Sequence, residues 1–321
     1  MERATGAAGV AGAAETETET AGERADRAYA VHRELLFSLV YNLLGSVADT
    51  EDVLQDTWLA WSARATDPTA PGIEHPKAYL VRIAVNRALA QQAAAGRRRE
   101  TYVGPWLPEP LVGPPLGADG GTGDVALAAE RAESVSLALL VVLETLSPLE
   151  RAAFVLHEVF GYGGAEVAAV LGRSPAAVRQ LVRRARAHVQ ERRPRYEAGP
   201  AVRRQVTERF LAAALGGDLK ALLELLAPDV TLIGDGGGKA PGGRRPLTGR
   251  AKVARLLAAL AGKSGNRGLE VAWRSVNGAP AAAFSAFGRP FAVLVLDLAP
   301  EGDLVRGIHA VSNPDKLRGL A

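Results

Sequence analysis

The chain has no cysteine, one methionine and few aromatic residues. Without thiols it can form neither a disulfide nor a thiolate zinc site, and it has no cysteine nucleophile. That fits a reducing compartment. Its five histidines are scattered. The run from His157 to Gly161 opens like a zinc-protease motif, but Gly161 stands where the second histidine is needed. No metal and no cofactor are therefore expected. Long apolar runs are missing too. Leu137–Leu143 is too short to span a bilayer, and residues 1–25 lack the basic start and apolar core of a signal peptide. The expectation is a soluble, cytoplasmic chain with no membrane partner, opened by a disordered Ala, Gly, Thr and Glu tail over residues 1–25. Lysine is scarce, so arginine carries most of the basic charge. A net charge of +3 over 321 residues means that the location of charge matters more than its total.

The positive charge concentrates between Arg173 and Arg195, where eight arginines face a single acid, Glu191. This segment lies inside a pattern of two helices joined by a tight turn. Val167, Ala168 and Leu171 form an apolar stripe at helical spacing, and Gly172 can close that helix in the left-handed conformation. Ser174 suits an N-cap and Pro175 the first helical position. Val178, Leu181, Val182, Ala185 and Val189 fall on one face of the second helix. Arg179, Arg183 and Arg186 fall on the other, with Gln180 and Arg184 at its edges. One-sided charge with matching caps predicts a helix-turn-helix that enters a major groove.

Upstream, apolar spacing predicts helices over about 27–44, 49–65 and 77–99. Ser46 with Asp49 resembles a capping box. The middle helix buries Val53, Leu54, Trp58 and Trp61 and shows an acidic stripe of Glu51, Asp52, Gln55 and Asp56, which suits a basic protein partner better than nucleic acid. The third helix carries Arg82, Asn86 and Arg87 opposite its apolar side and ends in the cluster Arg97, Arg98 and Arg99. Arginines can contact phosphates and asparagine can read a base edge. Residues 101–123 are a Pro/Gly-rich linker. Trp106, Leu107 and Pro108 make it too apolar for a plain spacer, so part of it is expected to dock. One helix is read over 124–146, and Ser147-Pro148 with Glu150 starts the next.

Four stretches taken together resemble the extracytoplasmic-function (ECF) sigma factors of RNA polymerase. They are A-D-T-E-D-V-L-Q-D-T-W (48–58), A-Y-L-V-R-I-A-V-N-R-A (78–88), L-S-P-L-E-R-A-A-F-V-L (146–156) and the helix-turn-helix. The resemblance implies RNA polymerase core and promoter DNA as partners. Residues 26–100 would be sigma region 2, with Asp49, Asp52, Gln55, Asp56 and Trp58 on the beta-prime clamp helices. Arg82, Asn86 and Arg87, with the 97–99 cluster and the Asp67–His75 loop, would serve the minus-ten element. Residues 124–196 would be sigma region 4, reading the minus-thirty-five element with Arg173, Ser174, Arg179, Gln180, Arg183, Arg184 and Arg186.

Residues 200–321 go beyond a minimal member of that family. Helices at 200–215, 218–226 and 249–260 and strand-like stretches at 230–233, 269–276, 281–288, 290–298 and 303–311 predict an α+β domain with an antiparallel sheet. The pattern is similar to the SnoaL-like cone fold. Three motifs match the group-41 branch: Y-V-G-P-W-L-P-E-P (102–110), D-G-G-G-K (235–239) and N-P-D-K-L (313–317). The expected fold class is thus multidomain, with all-α sigma regions 2 and 4 followed by an α+β SnoaL-like domain. The branch implies regulation in cis through Trp106, Leu107, Pro108, Asp235, Gly236, Gly237, Gly238, Lys239, Asn313, Pro314, Asp315, Lys316 and Leu317. Independently of that resemblance, three glycines after Asp235 suit a loop that another segment approaches closely. D-G-G-G-K is no phosphate loop, because Ala240 replaces the required hydroxyl residue. Asp235, Lys239, Asp297, His309 and Asp315 are candidates to line a pocket for a small-molecule ligand, and no enzymatic activity is expected. The helix-turn-helix and a pocketed C-terminal domain would also suit a ligand-responsive regulator that does not act as a sigma factor.

Overall fold

The structure, a computed structural model, describes residues 20–69, 71–115, 135–192, 199–263, 268–300 and 302–320. Three long helices come first: α1 (Ala21–Leu44), α2 (Val47–Ala65) and α3 (Pro76–Glu100). A capping box starts α1: the Thr20 hydroxyl accepts the Glu23 N–H while the Glu23 carboxylate accepts the Thr20 N–H. The helix therefore begins before Arg27, and residues 20–25 are not part of a disordered tail. Ala25 is already core. Gly45 ends α1 in the left-handed conformation (φ 68°), and Ser46 caps α2 by accepting the Asp49 N–H. Trp61 is buried as expected, whereas Trp58 is only half-buried.

A short helix, Leu137–Leu143, follows the linker, so the helix expected over 124–146 is described only in this part. Pro148–Phe154 opens on a Ser147–Glu150 capping box and widens into one π turn, Val155–Val159. The helix-turn-helix is as expected. Its first helix is Gly164–Leu171, Gly172 turns at φ 60°, and the recognition helix is Pro175–Arg192.

The C-terminal part places helices Pro200–Gly216, Leu219–Leu225 and Arg250–Lys263 against a sheet. Its strands are β1 (Val112–Pro115), β2 (Leu226–Asp235), β3 (Leu247–Thr248), β4 (Leu269–Val276), β5 (Ala279–Ala286), β6 (Arg289–Leu298) and β7 (Val305–Val311). The order is β1-β4-β5-β6-β7-β2-β3. Three features depart from expectation. Strand β3, which pairs with β2, lies where no strand was expected. The sheet is mixed, because β2 runs parallel to β7. Its edge strand β1 comes from the linker, where Val112 pairs with Val276.

Three apolar cores result. The first joins α1–α3 to the helix-turn-helix and its preceding helix in one cluster, from Leu36 and Leu80 to Val155 and Val182. The second lies between the sheet and its own helices, around Phe210, Leu225, Val253 and Ile308. The third covers the opposite face of the sheet, where Leu107, Leu137 and Leu317 pack on Val276, Val293 and Val311. Helix Leu137–Leu143 belongs to two of them: Leu137 and Val141 go to the sheet, Leu140 and Leu143 to the helical core.

Candidate functional site

The acidic stripe lies on exposed α2 as expected, but two of its members are engaged within the chain. Asp52 and Gln55 are exposed. Asp56 accepts from the Arg87 guanidinium at 2.9 Å, and Glu51 holds Arg33 with a two-pronged pair at 3.0 and 2.9 Å. Asp49 is half-buried and accepts from the Gln91 amide at 3.4 Å. The Trp58 indole N–H reaches Asp26 at 3.3 Å. The sequence suggested separate acidic and basic faces. The Arg87–Asp56 pair instead links them, because α2 and α3 pack side by side.

On α3, Arg82 is exposed and its guanidinium lies 5.4 Å from the Tyr79 ring centre. The Asn86 amide donates to the Arg82 carbonyl at 2.8 Å and to the Val170 carbonyl at 3.2 Å. The second bond crosses from the third helix to the helix-turn-helix. The side chains of Arg97, Arg98 and Arg99 lie outside the described residues.

In the helix-turn-helix the Ser174 hydroxyl accepts the Ala177 N–H at 3.2 Å. Arg173, Arg179, Gln180 and Arg183 are exposed. Arg184 and Arg186 are exposed too, but each is drawn onto a carboxylate. Arg184 donates to Glu150 at 2.8 Å, and Arg186 donates to Glu158 at 2.9 and 2.5 Å. Exposed pairs of this kind contribute about 0–1 kcal/mol, so any of these arginines can change partners cheaply.

The linker, the glycine loop and the terminal motif meet at one buried carboxylate, Asp235. It accepts from the Tyr102 hydroxyl at 2.6 Å, the Leu107 N–H at 2.9 Å and the Lys316 ammonium at 2.7 Å. Its backbone carbonyl accepts the N–H groups of Ser312 and Asn313 at 2.8 and 2.9 Å. Lys316 also donates to the Leu107 carbonyl and lies 4.1 Å from the Trp106 ring centre. Burial, then the bond to Asp235, pushes the Tyr102 hydroxyl pKa well above its ordinary value. The Asn313 amide donates to the Tyr102 oxygen at 2.7 Å. Pro314 starts the short 3₁₀ turn Pro314–Lys316, and Leu317 enters the third core. On the rim, Lys239 pairs with Asp315 at 2.5 Å.

The glycines are required by close approach. A Cβ at Gly237 (φ 58°) would stand 2.3 Å from the Asn313 amide nitrogen and 2.9 Å from the Tyr102 hydroxyl. One at Gly238 would stand 3.0 Å from Val103, and one at Gly236 would meet the Ala240 carbonyl at 2.2 Å. The segment that approaches the loop is the linker. Asp297 lies apart from this cluster and pairs with Arg306 at 3.0 Å. Of the five polar residues expected to line one pocket, Asp235, Lys239 and Asp315 thus meet here, whereas Asp297 does not.

A second knot, missed in the sequence, ties the linker to the first helices. Tyr41 is fully buried. Its hydroxyl donates to the Glu109 carbonyl at 2.6 Å and accepts from the Asn277 amide at 2.9 Å. The Glu109 N–H donates to the Gly45 carbonyl at 2.8 Å, and its carboxylate accepts the Val47 N–H at 2.8 Å, capping α2 from outside. Asn277, at φ 49°, exchanges two bonds with Leu111. Burial raises the Glu109 carboxyl above its ordinary range. A Cβ at Gly45 would stand 3.0 Å from Trp106 and 3.4 Å from Pro108, so the linker lies directly on the α1–α2 turn. Nearby, Arg151 is buried, pairs with Glu144 at 2.5 Å and donates to the Asn42 carbonyl at 2.9 Å. Its burial lowers the guanidinium pKa to about 9. The Asn277-Gly278 hairpin turn is the one signal in the sequence that could have pointed here.

Comparison with known proteins agrees with this architecture. Residues 28–98 match the family model of Sigma-70 region 2, and residues 136–189 match that of Sigma-70 region 4. The chain is 42% identical over 234 residues to the ECF RNA polymerase sigma factor SigJ of Mycobacterium tuberculosis, covering 73% of this chain and 72% of that one. It is 32% identical over 204 residues to the probable ECF sigma factor SigI of the same organism, covering 63% and 67%. The crystal structure of M. tuberculosis SigJ superposes with a TM-score of 0.71 at 36% identity, covering 92% of this chain and 98% of that one.

Proposed function

This chain belongs to the extracytoplasmic-function sigma factors of RNA polymerase, and from that premise we propose how its three parts work together. As a family member it directs promoter-specific initiation by RNA polymerase. The C-terminal domain, in this reading, holds regions 2 and 4 in a packed, inactive arrangement from which polymerase and promoter must release them.

The observation that carries the reading is the bond from Asn86 to Val170 at the edge of a core common to both regions. The minus-ten and minus-thirty-five elements lie about 25 base pairs apart, or roughly 85 Å along B-form DNA at about 3.4 Å per pair. Two surfaces within hydrogen-bonding distance cannot occupy both sites. The regions must separate, and the junction at Asp235 and Tyr41 opposes that. α2 would then meet the beta-prime clamp helices through Asp52, Gln55, Asp49 and Trp58, with Asp56 joining once it leaves Arg87. Arg82, Asn86, Arg87 and the 97–99 cluster would serve the minus-ten strand. Arg173, Ser174, Arg179, Gln180, Arg183, Arg184 and Arg186 would serve the minus-thirty-five duplex. In this reading the domain limits are 20–100, with the start moved from 26 to take in the cap and first turn of α1, then 124–196 and 200–321, with the linker as a working part of the third. Such a protein would act in the cytoplasm and would regulate without catalysis.

Run-off transcription with core polymerase on DNA upstream of the protein's own operon tests this. The full chain should give a weak, discrete start. Removal of residues beyond about 200, or of the tail beyond about 312, should strengthen it. Equal output from all three would refute cis control, and silence from all three would refute the sigma assignment for this promoter.

A further inference from the structure

We propose that the seam between the two helical halves is a binding site for a small phosphorylated ligand of the nucleotide class. A cavity of about 710 Å³ opens there, lined by the first half of α1, the start of α3 and the approach to the helix-turn-helix. This size is within the range of small-molecule sites, roughly 300–1,000 Å³. Arg24, Arg27, His32, His75 and Lys77 line it from one half and Tyr162 from the other. Two acids also reach it, Glu74 and Glu166. The Glu166 carboxylate is already committed to the Gly163 N–H at 2.7 Å.

Two features select an anion. Lys77 forms no ion pair among the described residues, and its ammonium lies 5.9 Å from the centre of the Tyr162 ring. Burial first, and the Lys77 charge second, hold the His32 imidazole below its ordinary range, so His32 adds a neutral ring to the wall rather than a charge. The 25-residue helix α3 starts at this cavity. Lys77 and Ala78, whose first-turn amides have no acceptor within the helix, are part of its wall. The Tyr162 ring offers a flat surface for a base. A nucleotide meets both demands, with its phosphates on the cations and its base on the ring.

The walls come from both halves, so the cavity is complete only while they are packed. A ligand that fills it stabilises that arrangement by mass action. The site does not depend on sigma activity, and its test needs neither polymerase nor promoter.

Isothermal titration calorimetry of the full chain with ATP and with inorganic pyrophosphate, at about 0.15 M salt, should show saturable one-to-one binding. The pair Arg27→Gln with Lys77→Gln should weaken both probes by about tenfold or more, the loss expected for charge-assisted bonds. Tyr162→Ala should weaken ATP more than pyrophosphate. Arg27 and Lys77 are exposed, and an unchanged thermal melt would verify folding. The pair Arg24→Gln with His75→Gln gives the same reading should the first pair fail to fold. Absence of saturable binding up to about 10 mM of either probe, or binding that none of these substitutions alters, overturns the proposal. So does binding of a single-stranded oligonucleotide at these residues where ATP and pyrophosphate do not bind, which would make the cavity part of a promoter-strand path.

Discussion

The exposed helical faces and the junction are built from the same kinds of residue and behave as opposites. On the surfaces, Arg87–Asp56, Arg184–Glu150 and Arg186–Glu158 are ion pairs with at least one partner well exposed. In the junction, Lys316–Asp235 and Arg151–Glu144 are almost wholly removed from water. Water screens the first set, and each arginine can exchange a carboxylate for a phosphate at little cost. The second set has lost its hydration, so every remaining bond is needed to compensate. Exposed charge in this protein is available for trade, whereas buried charge fixes position.

That contrast breaks most directly at Lys316. Lys316→Met leaves the Asp235 carboxylate buried without its cation and should destabilise the packed chain by about 3–5 kcal/mol, read by urea unfolding. It should also raise run-off activity. A cost no larger than that of a surface arginine would dissolve the distinction. Leu107→Ala, which hollows the third core beside Leu137 and Leu317, should cost about 2–5 kcal/mol and expose the linker to protease. Tyr41→Phe removes one hydroxyl serving Glu109 and Asn277. The cost should be about 1–3 kcal/mol, and faster hydrogen exchange at the Val47 amide, which Glu109 accepts, would locate it.

Glu109 gives a smaller, pH-dependent effect. Its carboxyl is raised above the unfolded value by burial, so between the two values the folded chain binds more protons than the unfolded one. Stability contributed there therefore falls as pH rises through that window. Glu109→Gln, which keeps an oxygen for the Val47 N–H, should flatten the slope; an unchanged pH profile of the melting temperature would exclude Glu109 as its source. Last comes Arg87→Ala, expected to change stability by no more than about 1 kcal/mol after screening. A double-mutant cycle with Asp56→Ala measures the pair, and a larger coupling would place this surface in the junction's class.

The helical half was legible because its signals are local. The apolar stripe of the recognition helix, Gly172, Ser174 and the Ser147–Glu150 box each act within one turn. Five strands of the C-terminal domain, β2 and β4 to β7, were found to within a few residues for the same reason, whereas the two-residue β3 was not. What stayed hidden depends on partners far along the chain. Val112 pairs with Val276, and the Tyr41 hydroxyl meets an amide 236 positions away. No periodicity encodes such pairings. The three motifs around Asp235 were visible as unusual residues, and the glycines announced close approach, yet nothing local said that the linker would be what approached. Likewise, pattern alone put Asp56 and Arg87 on different faces, because a helix's own spacing does not reveal which neighbour it will lie beside.

Helix Leu137–Leu143 sends Leu137 and Val141 into one core and Leu140 and Leu143 into another. Seven residues make about two turns, too short to hold a helix in water without packing. If the sheet and the helical half part company, this helix can follow only one of them, and the apolar side chains of its other face become wet together. Intermediate separations gain nothing, since they wet one face without relieving the other. The opening is thereby made cooperative, a toggle with two resting positions, and a graded signal acting on it would be converted into a change in the fraction of molecules switched.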